Sequence, residues 1–282
     1  MIKNRIYILI ISLFIFSACD KIEGPYIDLG GSEPTVDDFP ELDYASVYRK
    51  ILIEEYTGHR CTNCPTGHEK LSELSSLLRD TLVPICIHAG TLAEPRQAGL
   101  FTYDFRTTEG NTFYQDFNIG GIPAAVVNRT KFSSDKWKLD VNQWHGVLES
   151  TDRTVYAGIQ MKTEKISEHV LKIGTKTTML EEYSSPLHLS LFVVEDHIIK
   201  PQSNGSQNIE DYQHNHVFRG ALNGAYGSPL SLDGVISKDS AYLLSYNLDF
   251  ASKDWKIENT SIVAILHNPA TKEVLQVEAI KP

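Results

Sequence analysis

The sequence predicts a small α/β domain followed by an all-β sandwich domain, preceded by an export segment. Two observations carry the fold: strand and helix patterns alternate from about Ser46, and after Thr154 the apolar period becomes two. With 282 residues, the chain has room for two domains of ordinary size.

The elements follow in order. Met1 to Arg5 carry two positive charges, and Ile6 to Phe16 form an apolar run broken only by Ser12. That run has the length of a signal-peptide core and falls short of the ~20 residues a membrane span needs. Phe16-Ser17-Ala18-Cys19 resembles a lipobox, so residues 1–18 read as a lipoprotein signal peptide and Cys19 as the acylated residue, in the manner of a palmitate-bearing lipoprotein. An ordinary signal peptide with an incidental Cys19 is the alternative. Residues 19–45 read as a disordered tether: Asp20 to Asp43 hold eight acidic residues and one Lys, with Pro25, Pro34 and Pro40.

Within the α/β region, expected at residues 46–152, Ile51 to Tyr56 reads as a strand and Gly58 to Cys64 as a turn. Thr66 to Arg79 reads as a helix whose Leu71, Leu74, Leu77 and Leu78 share a face. A buried-type strand follows at Leu82 to His88, a short helix near Asn111 to Phe117, a strand at Ala124 to Asn128, and a helix from Trp137 to Glu149.

In residues 153–282, alternating apolar positions mark about seven strands, most cleanly Tyr242, Leu244, Tyr246, Leu248 and Phe250. That count favours an antiparallel sandwich of immunoglobulin or fibronectin type. Lys200 to His214, rich in Asn, Gln and Ser, reads as an exposed loop.

Composition narrows the function classes. Without residues 1–18 the chain keeps 24 of its 26 Lys and Arg, having lost Lys3 and Arg5, against 36 Asp and Glu, so nucleic acid is not an expected partner. Four cysteines are too few for a disulfide-stapled miniprotein. Gly-x-Ser-x-Gly, Walker and His-Glu-x-x-His motifs are missing from the sequence, and neither a cofactor nor a bound metal is expected.

The chemistry-bearing motif is Cys61-Thr62-Asn63-Cys64, between a strand and a helix as in thioredoxin-like folds. Pro65 lacks an N–H and fits only the first helical turn. The helix is therefore expected to start near Cys61 and to favour its thiolate. Gly120-Gly121-Ile122-Pro123 supplies the expected cis-proline that would face the pair and hold an extended substrate.

On this reading Cys61 attacks, Cys64 resolves, and His59 and Arg60 are auxiliary, with Arg60 as a cation beside the thiolate. Alternatives stay open: a permanent Cys61–Cys64 bridge, or a soft metal on His59, Cys61, Cys64 and His68. Cys86 reads as a buried inert thiol. His214 and His216, two apart, would share one side of a strand near Arg219, more often as structural residues than as ligands.

The run Glu54-Glu55-Tyr56-Thr57-Gly58-His59 leading into Cys61-x-x-Cys64-Pro65, with Gly121-Ile122-Pro123 and Tyr212-x-His214-Asn215-His216-Val217-x-Arg219, resembles the Bacteroidota lipoproteins named after a 28-kilodalton outer membrane protein. The resemblance implies a lipid-anchored location in the cell envelope at the outer membrane, facing the periplasm or the surface. It also implies a thioredoxin-like domain and a β-rich C-terminal domain. Expected partners are the membrane, through Cys19, and either protein thiols and disulfides or surface ligands. Two functions compete: thiol–disulfide exchange through Cys61 and Cys64, and surface binding or adhesion with the thioredoxin-like domain as scaffold.

Overall fold

β1 (Ile51–Thr57) is fully buried along its whole length because it sits inside a sheet covered on both faces. The computed structural model describes Thr35, residues 38–133 and residues 136–282. The expected signal peptide, Cys19 and most of the tether lie outside the described residues.

After β1 come α1 (Cys64–Leu78), β2 (Leu82–His88), α2 (Thr108–Asp116), β3 (Ala124–Val127) and α3 (Trp144–Ser150). Strands then dominate: β4 (Ala157–Lys165), β5 (Val170–Met179), β6 (His188–Glu195), β7 (Ile198–Ile199), β8 (Gln202–Asn204) and β9 (Gln207–Ile209). The last are β10 (Gln213–His214), β11 (Val217–Ala221), β12 (Ser228–Pro229), β13 (Ala241–Asp249), β14 (Thr260–His267) and β15 (Val274–Ile280).

One mixed sheet runs β15-β14-β6-β11-β2-β1-β3, with β12 also on β6. β1 and β2 are parallel, β3 is antiparallel to β1, and β11 joins β2 in parallel at Val217 opposite Cys86. A strand from the C-terminal half covers the otherwise free edge of β2. A free strand edge is a row of unpaired donors and acceptors, and β11 removes it. Residues 33–282 accordingly make one compact unit. The protein is β-rich with few helices, and its sheets are of mixed kind.

The long sheet buries both faces. On one side Leu52, Tyr56, Ile85, Val126, Phe192 and Ile265 pack with Phe113 and Phe117 of the α2 region. On the other, Ile51, Ile53 and Ala125 meet Leu71 and Leu74 of α1 and Trp144 and Leu148 of α3. Further along that side, Leu189, Leu191, Ile262 and Ala264 meet Ile159, Leu171, Ile173 and Leu248 of a smaller antiparallel sheet, β13-β5-β4. Each strand's alternation decides which residue faces which layer.

Two expected elements differ. The helix expected from Trp137 begins only at Trp144, because Leu139 pairs with Ala125 and keeps the chain extended. Asp140 and Gln143 then form a capping box that starts the helical turns. The segment 200–214, expected as an exposed loop, is exposed at 204–208, 210, 211 and 213, but it forms the β8–β9 hairpin and pairs β10 with β7, and it buries Gln202, Ser203 and His214.

Candidate functional site

The end of β1, the start of α1 and the loop before β3 meet at the cysteine pair. Helix α1 can come this close because position 67 is glycine. A Cβ there would stand 2.6 Å from Glu55 Oε1 and 3.0 Å from Pro123 Cβ. Glycine inside a helix costs about 1 kcal/mol, and here it sets the spacing of three functional groups.

Cys61 and Cys64 are joined in a disulfide, with Cα atoms 5.4 Å apart. The Ile122–Pro123 peptide is cis, and Cys61 Sγ lies 3.9 Å from the Ile122 carbonyl oxygen. The helix starts at Cys64, with Pro65 in its first turn as its chemistry requires. Cys61 therefore precedes the helix by most of a turn, held by its N–H on the Gly58 carbonyl at 2.9 Å, rather than sitting at the helix tip.

Neither sulfur is open to solvent: Cys61 is 2% exposed and Cys64 fully buried. The cover is the β8–β9 hairpin. Ser203 N–H donates to the His59 carbonyl and Gly205 N–H to the Thr62 carbonyl, each at 2.9 Å. Gln202 Nε2 donates to the carbonyls of Gly58 at 3.3 Å and Cys61 at 3.0 Å. The polar composition of the stretch predicts solvent exposure, which residues 204–208 show, while Gln202 and the N–H groups of Ser203 and Gly205 are turned to the backbone around the cysteines.

The auxiliary residues do other work. His59 is buried and stacked on Phe101, with Phe105 tilted against it, and burial lowers its pKa to about 4, so it is neutral. Arg60 donates to the Glu94 carbonyl at 2.8 Å and so fixes the 91–94 turn to the loop. His216 lies beyond the end of β10 with a left-handed φ of 56°, so strand alternation does not relate it to His214, although both line the cavity described below. His214 is buried, while His216 Nδ1 stands 3.3 Å from Asp196. Arg219 pairs with Glu195 and Asp254 and lies over the ring of Tyr103.

Sequence reasoning assigned no role to two groups of this region. Glu55 is fully buried, accepts only from the Cys86 thiol at 3.3 Å, and is pushed up to about 8 by burial. Burial likewise raises the Cys86 thiol well above its ordinary range. His88, at the end of β2, is buried with neither ring nitrogen hydrogen-bonded to protein. Adjacent carboxylates in an apolar strand were the available signal for Glu55; a histidine ending a buried strand was the signal for His88.

A cavity of about 390 Å³ opens beside this region, between α1, β2 and residues 212–216. His68, Ser72, Cys86, His88, Tyr212 and His214 are among its walls, and neither Cys61 nor Cys64 is. His68 bridges Thr57 Oγ1 at 2.8 Å and Tyr212 Oη at 2.7 Å, and burial lowers its pKa to about 4.

The sequence model of the family described as outer membrane protein Omp28 matches residues 110–282. HBP35 of Porphyromonas gingivalis superposes with a TM-score of 0.64 at 17% identity, over 84% of this chain and 76% of that one. A domain of the outer membrane lipoprotein Omp28 from Porphyromonas gingivalis is 24% identical, covering 45% of this chain and 88% of that chain, with a TM-score of 0.32. The first shows a shared fold. None of the curated proteins compared matches the chain.

Proposed function

The chain belongs to the Omp28 outer membrane protein family, and from that premise we propose that it is an envelope-anchored binding lipoprotein in which a thioredoxin-like unit serves as scaffold. In this reading Cys19 carries the lipid, residues 46–152 form the thioredoxin-like domain, and residues 153–282 form an immunoglobulin-like sandwich. The Cys61–Cys64 bridge is a permanent staple. One observation carries the reading: the closed cysteine pair is buried beneath the β8–β9 hairpin of its own chain. A thiolate must reach its partner disulfide in order to exchange, and reactive cysteines sit in partly exposed surroundings.

The test is mechanism-based trapping in the native host. A Cys64→Ser variant, released from the bridge, is expected to hold no mixed disulfides on Cys61. Partner capture by a Cys61→Ser, Cys64→Ser double variant is expected to equal that of the wild type. Covalent partners on Cys61 would overturn the scaffold reading.

They would support the second reading, thiol–disulfide exchange, which the 3.9 Å approach of Cys61 Sγ to the Ile122 carbonyl favours. There Cys61 attacks, Cys64 resolves, and Pro123 orients the substrate once the hairpin has moved aside.

A further inference from the structure

The cavity beside α1 is lined by groups that the scaffold reading does not use, and their hydrogen bonds can be followed one nitrogen at a time. His68 is fully engaged, with Thr57 on one nitrogen and Tyr212 on the other. His214 Nε2 lies 3.2 Å from the Lys200 carbonyl oxygen, which can only accept. That contact places the proton on Nε2 and leaves a lone pair on Nδ1, which has no partner. His88 has no partner at either nitrogen. Both rings are 2% exposed and both line the cavity. A buried polar atom left unmatched costs about 1–3 kcal/mol, so these three nitrogens, on residues that line the cavity, lack a partner that a guest can supply.

The surroundings select the charge of the guest. Burial holds both imidazoles neutral, so their lone pairs are available at neutral pH. Glu69 is on the cavity wall, and Glu55 lies against His68 with Oε1 unmatched at 3.7 Å from Nε2. The nearby Arg219 is already paired with Glu195 and Asp254. Neutral nitrogen lone pairs beside the Glu69 carboxyl suit a cation and disfavour an anion; Glu55, which burial keeps protonated, adds no charge.

Geometry narrows the choice further. The ring centroids of His88 and His214 are 5.4 Å apart, with planes inclined by 61°. Two imidazoles on one tetrahedral ion, with metal–nitrogen bonds of about 2.0 Å, place their centroids roughly 5 Å apart. Among the described residues, no three His, Cys, Asp or Glu side chains already converge as a metal cluster. The ion would therefore keep its remaining positions for water or an outside ligand, as open sites do.

We propose that His88 and His214 form a two-imidazole, open site for one divalent cation of the zinc class. A hydrogen bond from the distal nitrogen to a backbone carbonyl, as His214 makes to Lys200, is the usual way a ligating imidazole is oriented. The proposal goes beyond the scaffold reading and stands whether or not the cysteine bridge exchanges.

The test uses full-length mature protein without a histidine tag, with Cys61–Cys64 oxidised and trace metal removed by chelator. Cobalt(II) chloride is expected to bind one ion per chain and to give the intense visible bands of four- or five-coordinate cobalt. Zinc chloride should displace it. His88→Gln and His214→Gln are each expected to weaken zinc binding at least tenfold, the order of effect expected for a ligand or its support. His145→Gln, on an exposed surface of α3, should change nothing.

Long-range proton–nitrogen spectra of the unmutated protein give a readout that needs no variant. Zinc should shift His214 Nδ1 and one nitrogen of His88 and leave His59 alone. Binding weaker than about 1 mM, a pale six-coordinate cobalt spectrum, or shifts confined to surface histidines would overturn the site.

Discussion

Two adjacent residues of β1 solve the same electrostatic problem in opposite ways. Glu54 and Glu55 are both fully buried, and strand alternation sends them to opposite faces of the sheet. Glu54 meets Arg129, whose Nε and Nη2 donate to the two carboxylate oxygens at 2.9 and 2.7 Å. The guanidinium is boxed by aromatic rings, its centre 4.8 Å from that of Phe113 and 5.7 Å from those of Phe117, Phe192 and Tyr226. Burial opposes the Arg129 charge, yet Glu54 holds its pKa above the ordinary value. Glu55, one residue on, has a thiol for company and no cation in contact, and burial keeps it protonated at neutral pH. Desolvation is common to both faces, so the presence of a counter-ion decides the charge state. Glu54 is locked by a charged pair; the contacts that Glu55 itself makes, to Cys86 and beside His68, are neutral.

The largest effect should come from breaking the locked face. Arg129→Met leaves Glu54 buried without its partner and is expected to destabilise the fold by about 3–5 kcal/mol in denaturant titration. A Glu54→Leu, Arg129→Met double variant should recover most of that loss, because no charge is then stranded. If the single variant unfolds within about 1 kcal/mol of wild type, the pair is not what holds that face.

The second effect lies on the other face and carries a sign. Glu55 has its folded pKa raised to about 8 from an ordinary 4.5. Its stabilising contribution is full below the unfolded value and is lost as pH rises through the folded one. Glu55→Gln, which cannot ionise, is therefore expected to match wild type near pH 4.5 and to be more stable by about 2 kcal/mol near pH 7. A difference that does not change with pH would mean that the carboxyl is ionised in the fold, or that a cation has found it.

These two faces also show what the sequence could and could not disclose. The order of β1, α1, β2 and β3 was readable because each element carries its own apolar period, and Pro65 placed itself in the first turn of α1. The insertion of β11 beside β2 was not readable, since nothing local in Val217 to Ala221 names a partner 131 residues back at Cys86. The hairpin cover was misread because Gln, Ser and Asn signal solvent unless their bonds to a distant backbone are known. Glu54 could not be told from Glu55, because the arginine that separates them is 75 residues away in sequence. The cysteine pair and Pro123 were legible as a motif; the burial of the two cysteines was a tertiary fact.

The third effect extends the comparison from acids to bases. His59 and His68, both on the Glu55 side, are lowered to about 4 by burial from an ordinary 6.5. The unfolded chain takes up protons that the folded one refuses, so stability falls as pH drops from about 6.5 towards 4. His59→Phe should flatten that loss, gaining roughly 1 kcal/mol at pH 5 relative to its effect at pH 7, measured by unfolding with chelator present. An equal effect at both pH values would show that His59 is charged in the fold or opens freely to water.

The smallest effect tests how firmly the neutral face is closed. Gln202 ties the hairpin to the carbonyls of Gly58 and Cys61, and no ion pair reinforces those two contacts. A neutral hydrogen bond contributes about 1 kcal/mol, so Gln202→Ala should raise the population of the uncovered state about tenfold or less while leaving global stability nearly unchanged. Reduction of Cys61–Cys64 by a water-soluble phosphine reads that population directly, since the reagent must reach sulfur. The variant is expected to be reduced several-fold faster than wild type at equal denaturant stability. Unchanged reduction would mean that the hairpin does not control access and that the bridge is reached only when the long sheet itself opens, as on the Arg129 face.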